Sequence, residues 1–196
     1  MAVLIGGVAC EEKQLEPDIV EPPQLFMTGL LDGQLLNLQV GVDSLRSRTG
    51  KQDVFDLIRS WSFELEDESQ QSITELKLWV NNHTAPFGED WEDVSQTFRV
   101  GSYAFVSPEI PADNPNQLMR VGLFLSDPQN RRLSSNLLDQ PNSSLQIDAV
   151  EEVEDQGLRY LKVSLRMNCL LVDDQQTDTV ALTNVQAVVL FGGIGR

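Results

Sequence analysis

Few residues in this chain are equipped for chemistry. The single histidine, His83, lies in "VNNHTAPFGEDWED", and the two cysteines, Cys10 and Cys169, stand near the start and inside a strand-like stretch. Nucleophilic catalysis needs a nucleophile held by a base, and zinc needs closely spaced Cys and His ligands; neither a Cys-x-x-Cys pair nor a Cys/His cluster is written here. A lone loop histidine reads as a solvated turn residue, and with 30 acidic residues any two chosen as a glycosidase pair would be arbitrary. No catalytic residue is assigned, and the chain reads as a non-enzyme. The densest constellation is "GEDWED", residues 88 to 93, which sets Glu89, Asp90, Glu92 and Asp93 around Trp91. Hard oxygen donors at that density suit calcium, the one cofactor the sequence suggests, although the spacing is not that of an EF-hand loop. The competing reading is a solvated acidic hairpin loop with Trp91 folded onto a sheet edge.

Aromatic side chains offer a second kind of chemistry, stacking against a sugar or a protein partner. Trp79, Phe87, Trp91 and Tyr103 are the candidates for such a surface. Trp79 falls out of phase with Leu76, Leu78 and Val80 in "LKLWV", so it points away from their face. A small cluster beneath the loop of residues 81 to 97 is the alternative to a ligand platform.

Charge narrows the partners. A net charge of −16, with 30 acidic residues against 14 basic ones, is the wrong sign for nucleic acid and for direct adsorption to anionic lipid. No run of about 18 apolar residues appears, so no membrane-spanning helix is expected.

The elements that must position these residues read as strands. Asp32-Gly33, flanked by apolar runs, is a type I′ hairpin signal, because both central residues of that turn need positive φ. Trp61, Phe63 and Leu65 alternate in "SWSFELE", as do Leu76, Leu78 and Val80 in "ITELKLWV". Phe98, Tyr103, Phe105, Met119, Val121, Leu123 and Leu125 extend the pattern. The longest alternation is Leu161, Val163, Leu165, Met167, Cys169 and Leu171, which places Cys169 inward as a small hydrophobe that does not pair with Cys10. Only "GKQDVFDLIRS" invites a short helix. The expectation is an all-β protein, an antiparallel two-sheet β-sandwich of about nine or ten strands, jelly-roll-like or immunoglobulin-like in outline. The last strand, residues 185 to 191, is followed by almost no tail, which is compatible with a place at a sheet edge, where it would build a complex or filament, and equally with ordinary closure of the sheet.

The N-terminus adds an address. "GGVAC" resembles the lipobox of bacterial lipoproteins, with Cys10 at the position that is acylated, and Glu11 and Glu12 behind it resemble the surface-export signal of Bacteroidota lipoproteins. The basic segment of a full signal peptide is absent and Gly7 stands where Leu is commonest; the alternative is an ordinary N-terminus carrying a thiol. "LLDGQLLNLQVGVDS", "SWSFEL", "VGSYAF", "SLQIDAVEE" and "YLKVSLRMNCLLV" follow in an order similar to that of small Bacteroidota surface lipoproteins with a β-sandwich body and no established activity. The resemblance implies residues 1 to 9 as a signal remnant, 10 to 23 as a lipidated tether and 24 to 196 as the β-sandwich domain. It implies a lipid-anchored protein of the bacterial outer membrane or cell surface, held to the membrane through Cys10. The role expected is binding or assembly with other envelope proteins; the alternatives are a carbohydrate-binding accessory module with a glycan ligand and, third, a hydrolase.

Overall fold

A computed structural model describes residues 24–41, 45–54, 58–67, 73–82, 88–106, 119–127 and 131–195. Cys10 and the tether, His83 and Phe87 lie outside the described residues. Among the described residues the chain is all-β apart from one short α-helix and one 3-10 turn. Its strands are β1 (Phe26–Leu31), β2 (Gln34–Gln39), β3 (Leu45–Val54), β4 (Ile58–Asp67), β5 (Glu75–Asn82), β6 (Gly101–Phe105), β7 (Met119–Ser126), β8 (Arg132–Ser134), β9 (Ser144–Asp155), β10 (Leu158–Asp173) and β11 (Thr179–Gly195). The helix, α1, spans Asp90–Thr97 between β5 and β6.

The strands hydrogen-bond in one path, β2-β1-β11-β10-β9-β6-β7-β5-β4-β3, with β8 pairing both β10 and β7. Strands β10, β9, β6, β7 and β8 thus close a ring, which explains how a single network can wrap around one core. The pairing is mixed, not wholly antiparallel as expected, since β6 runs parallel to β7 while the other pairs are antiparallel. Two tight turns set registers. Asp32-Gly33 (φ 50° and 76°) joins β1 to β2, and Gln156-Gly157 (φ 50° and 79°) joins β9 to β10, both in the left-handed region a type I′ turn demands.

A local expectation is corrected. "GKQDVFDLIRS" is not helical over its described residues: 50 to 54 belong to β3 and 58 to 60 to β4, paired Asp53↔Arg59 and Val54↔Ile58. Cross-strand pairing decides here, helped by the Arg59 Nε to Asp53 Oδ1 contact of 2.8 Å. Of the two placements open to the last strand, a sheet edge or ordinary closure, the structure has the second: β11 lies between β1 and β10, and the edges of the path are β2 and β3.

The core is a continuous cluster drawn from strands on both sides of the molecule, with β4, β5, β7, β10 and β11 contributing most and β3, among the described residues, none. Trp61, Phe63, Leu65, Leu76, Leu78 and Val80 are buried, as are Leu161, Val163, Leu165, Met167, Cys169 and Leu171 along β10. Cys169 is free and buried, and burial pushes its thiol up to about 12. Its thiolate is the reactive form, so it is expected to resist a thiol reagent at neutral pH until the protein unfolds. Stoichiometric labelling of native Cys169 at the rate of a free peptide thiol would contradict that placement.

On the outward face of β3, β4 and β5 a charge ladder crosses the sheet. Glu64 accepts from Arg48 on one side and from Lys77 Nζ, at 2.6 Å, on the other. Burial raises the Glu64 pKa, but the hydrogen bonds from Lys77 and Arg48 outweigh it, and the carboxyl sits below its ordinary value. A lowered folded pKa stabilises above the unfolded value and is lost as pH falls through the folded one. Glu64→Gln should therefore cost about 1 kcal/mol at neutral pH, the deficit shrinking in urea titrations as the pH falls below the ordinary glutamate range and through the lowered folded value. A deficit independent of pH would assign Glu64 a packing role instead.

Candidate functional site

Helix α1 replaces the expected acidic hairpin loop. Its first turn carries Asp90, Glu92 and Asp93, where negative charge complements the partial positive charge of a helix N-terminus. The carboxylates then diverge. Asp90 meets Lys51 Nζ at 2.9 Å and Arg59 Nη1 at 3.3 Å. Asp93, 5% exposed, accepts from Trp61 Nε1 and Asn82 Nδ2, each at 2.8 Å. Glu92 accepts from Gln96 Nε2 at 3.2 Å, and Glu89 is an exposed N-cap whose carbonyl accepts from the Asp93 amide. Among the described residues no group of three or more His, Cys, Asp or Glu side chains is placed to hold a metal ion.

The far end of the helix is tied down by an aromatic pair and a tyrosine. Phe98 stacks on Phe191 of β11 with ring centroids 4.0 Å apart. Tyr103 is buried; its hydroxyl accepts from the Arg99 amide at 2.8 Å and lies 2.9 Å from the Thr97 carbonyl, which it can donate to. Burial raises the phenol's pKa. Tyr103 thus fixes the turn from α1 to β6 instead of presenting a ring to solvent.

The two tryptophans proposed as stacking residues occupy different surfaces. Trp79 is half-buried on the outward face of β5, beside Gly122 of β7 in the ladder. Its indole occupies the space a Cβ would need, because a Cβ at Gly122 would come within 2.0 Å of Trp79 Cζ2. Trp91, on α1, faces the hairpin of β9 and β10. The Arg159 guanidinium lies over its ring, 3.8 Å from the centroid. Arg159 Nη2 also donates to Glu152 Oε2 at 3.3 Å. Together with Val153 and Glu154 these residues line an open cleft of about 490 Å³.

This cleft is the candidate site. It offers an aromatic face, a planar array of N–H donors and a carboxylate rim, which suit ion pairing, hydrogen bonding and stacking. Among the described residues that line it, Trp91, Glu152, Val153, Glu154 and Arg159, none is a nucleophile of the Ser, Cys, Thr or Lys type. Sequence reasoning found Trp91 and missed Arg159 and Glu152, because nothing local in "EEVEDQGLRY" shows that this hairpin reaches α1. The Gln156-Gly157 pair was the available signal for a tight hairpin there, but not for its neighbour. Comparison with known proteins places no relative beside this geometry: no family model, no curated protein and no solved structure matches the chain.

Proposed function

We propose that the chain is a non-catalytic binding or assembly subunit of a bacterial cell envelope, anchored through Cys10 and presenting the α1 cleft to another envelope protein. The observation that carries the binding role is the Trp91 and Arg159 stack, held in an open cleft of about 490 Å³. Stacked aromatic and guanidinium groups are the residue types that dominate protein interfaces. The eleven strands are read as two layers packed face to face, which the contact of β3 and β4 with β11 supports. The engagement of Asp90 and Asp93 by protein donors supports a reading without calcium.

A carbohydrate-binding module is the second reading, favoured by the half-exposed Trp79 on the outer face. Trp91 supports it less, since Arg159 already covers its ring. The deciding experiments are membrane fractionation of Cys10→Ser and calorimetric titration with glycans. Release of Cys10→Ser to the soluble fraction, with no Trp79-dependent heat from glycans, is the expected result. Full membrane retention of Cys10→Ser would overturn the anchor, and glycan binding lost in Trp79→Ala would replace the assembly role with the carbohydrate one.

A further inference from the structure

The two edges of the strand path differ in chemistry. Edge strand β3 carries Arg46, Arg48, Lys51 and Asp53, charges of the kind natural edge strands use to prevent pairing. Edge strand β2, "QLLNLQ", carries no charge and no proline, and its register against β1 is unbroken from Gln34 to Gln39. From Phe26 to Gln39 the one charged residue is Asp32, in the turn, although the chain as a whole carries −16. Leu35 is 79% exposed.

Backbone direction defines what that edge offers. The Asp32 amide donates to Ala181 of β11 and the Val40 amide donates to Leu25, so Leu35, Asn37 and Gln39 turn their N–H and C=O groups away from β1. We propose that β2 is an interaction surface for a second copy of this chain, the two β2 strands adding antiparallel about a two-fold axis at Asn37. That register sets Asn37 opposite Asn37 and Leu35 opposite Gln39, so every outward-facing backbone group of those residues gains a partner. It also sets Leu36 beside Leu38 on the inward face, where both are buried in each copy. Nothing charged opposes a like charge, which makes this neutral stripe self-complementary on an acidic molecule. A strand with matched backbone groups and no opposing charge is the requirement for β-strand addition.

Sedimentation velocity of the full chain tests the proposal. Dimer should form with rising protein concentration and strengthen as salt is raised, because screening weakens the repulsion between two −16 bodies while leaving the neutral seam untouched. Asn37→Asp should weaken association by at least about tenfold, since it sets two carboxylates against each other on the axis. The exposed side chain and outward backbone of Asn37 leave the β1–β2 hairpin undisturbed, and an unchanged Tm verifies this. Asn37→Cys in a Cys10→Ser background should oxidise to a disulfide-linked dimer, because directly opposed residues of a hydrogen-bonded antiparallel pair lie about 5.5 Å apart at Cα. A monomer at all concentrations overturns the proposal, as does a dimer indifferent to Asn37→Asp. Hydrogen-exchange protection of the Leu35, Asn37 and Gln39 amides in a monomer would assign the edge to a segment of the same chain and equally overturn it.

Discussion

Asp93→Ala should lower the unfolding free energy by about 3 kcal/mol, among the largest effects of any single polar substitution in this protein. The reason lies in what the carboxylate holds. It accepts from Trp61 Nε1 and from Asn82 Nδ2, and both donors belong to buried residues. Alanine would leave both hydrogen bonds unmade, and a buried donor without its acceptor forfeits its hydration with nothing in return, at about 1–3 kcal/mol each. Arg59, with Nη1 4.0 Å from Asp93 Oδ2, would lose one of the charges around it. Asp93→Asn should cost less, because its one amide oxygen can still accept, while its NH2 group faces donors. Urea midpoints for wild type, Asn and Ala variants should fall in that order. An Ala variant within about 0.5 kcal/mol of wild type would mean that water reaches the site and satisfies the donors.

The consequence extends to the candidate cleft. Asp93 fixes α1 against β4 and β5, and Trp91 projects from the same helix onto Arg159. A helix of eight residues is too short to persist alone, so its position depends on these tertiary contacts. Loosening Asp93 should therefore dislodge Trp91 as well as lower stability.

Strand alternation was the legible part of this fold. Leu161 to Leu171 along β10 and Leu76 to Val80 in β5 are buried at every second residue, because a half-buried strand imposes a period of two on its sequence. Asp32-Gly33 was legible for a similar reason, since its turn requires a backbone that few residue pairs accept. What escaped depends on contacts distant in sequence. "GKQDVFDLIRS" has local helical character, yet its flanks pair residue by residue as β3 and β4. "DWEDVSQT" looked like an acidic loop because charge density masked a helix whose buried positions are only Asp93, Val94 and Thr97. A buried aspartate is unusual enough that sequence reading sends it to solvent; the indole N–H of Trp61 and the amide of Asn82, with the Arg59 guanidinium nearby, explain its place. The cleft was half legible for the same reason: Trp91 was visible by type, and Arg159 became relevant only when the hairpin of β9 and β10 met the helix.

Phe191→Ala should be at least as damaging, at about 3–5 kcal/mol, because it empties a fully enclosed site on β11, a strand paired on both sides. Phe191 stacks on Phe98, which follows the last turn of α1, with an interplanar angle of 24°. The transfer of the ring to water supplies most of the cost, and the stacking geometry adds about 0.5–1.5 kcal/mol measurable as coupling in a Phe98/Phe191 double-mutant cycle. Phe191→Leu keeps much of the volume and should cost less than half as much. The same helix is thus held twice, by a stack on β11 at its end and by a buried carboxylate on β4 and β5 near its start. If these two attachments secure one unit, Asp93→Ala and Phe191→Ala combined should cost less than their sum, because a helix already detached cannot detach again. Urea midpoints of the two single variants and the double variant decide the point. Full additivity would show that each residue stabilises its own part of the sheet, and that α1, with Trp91, is positioned independently of both.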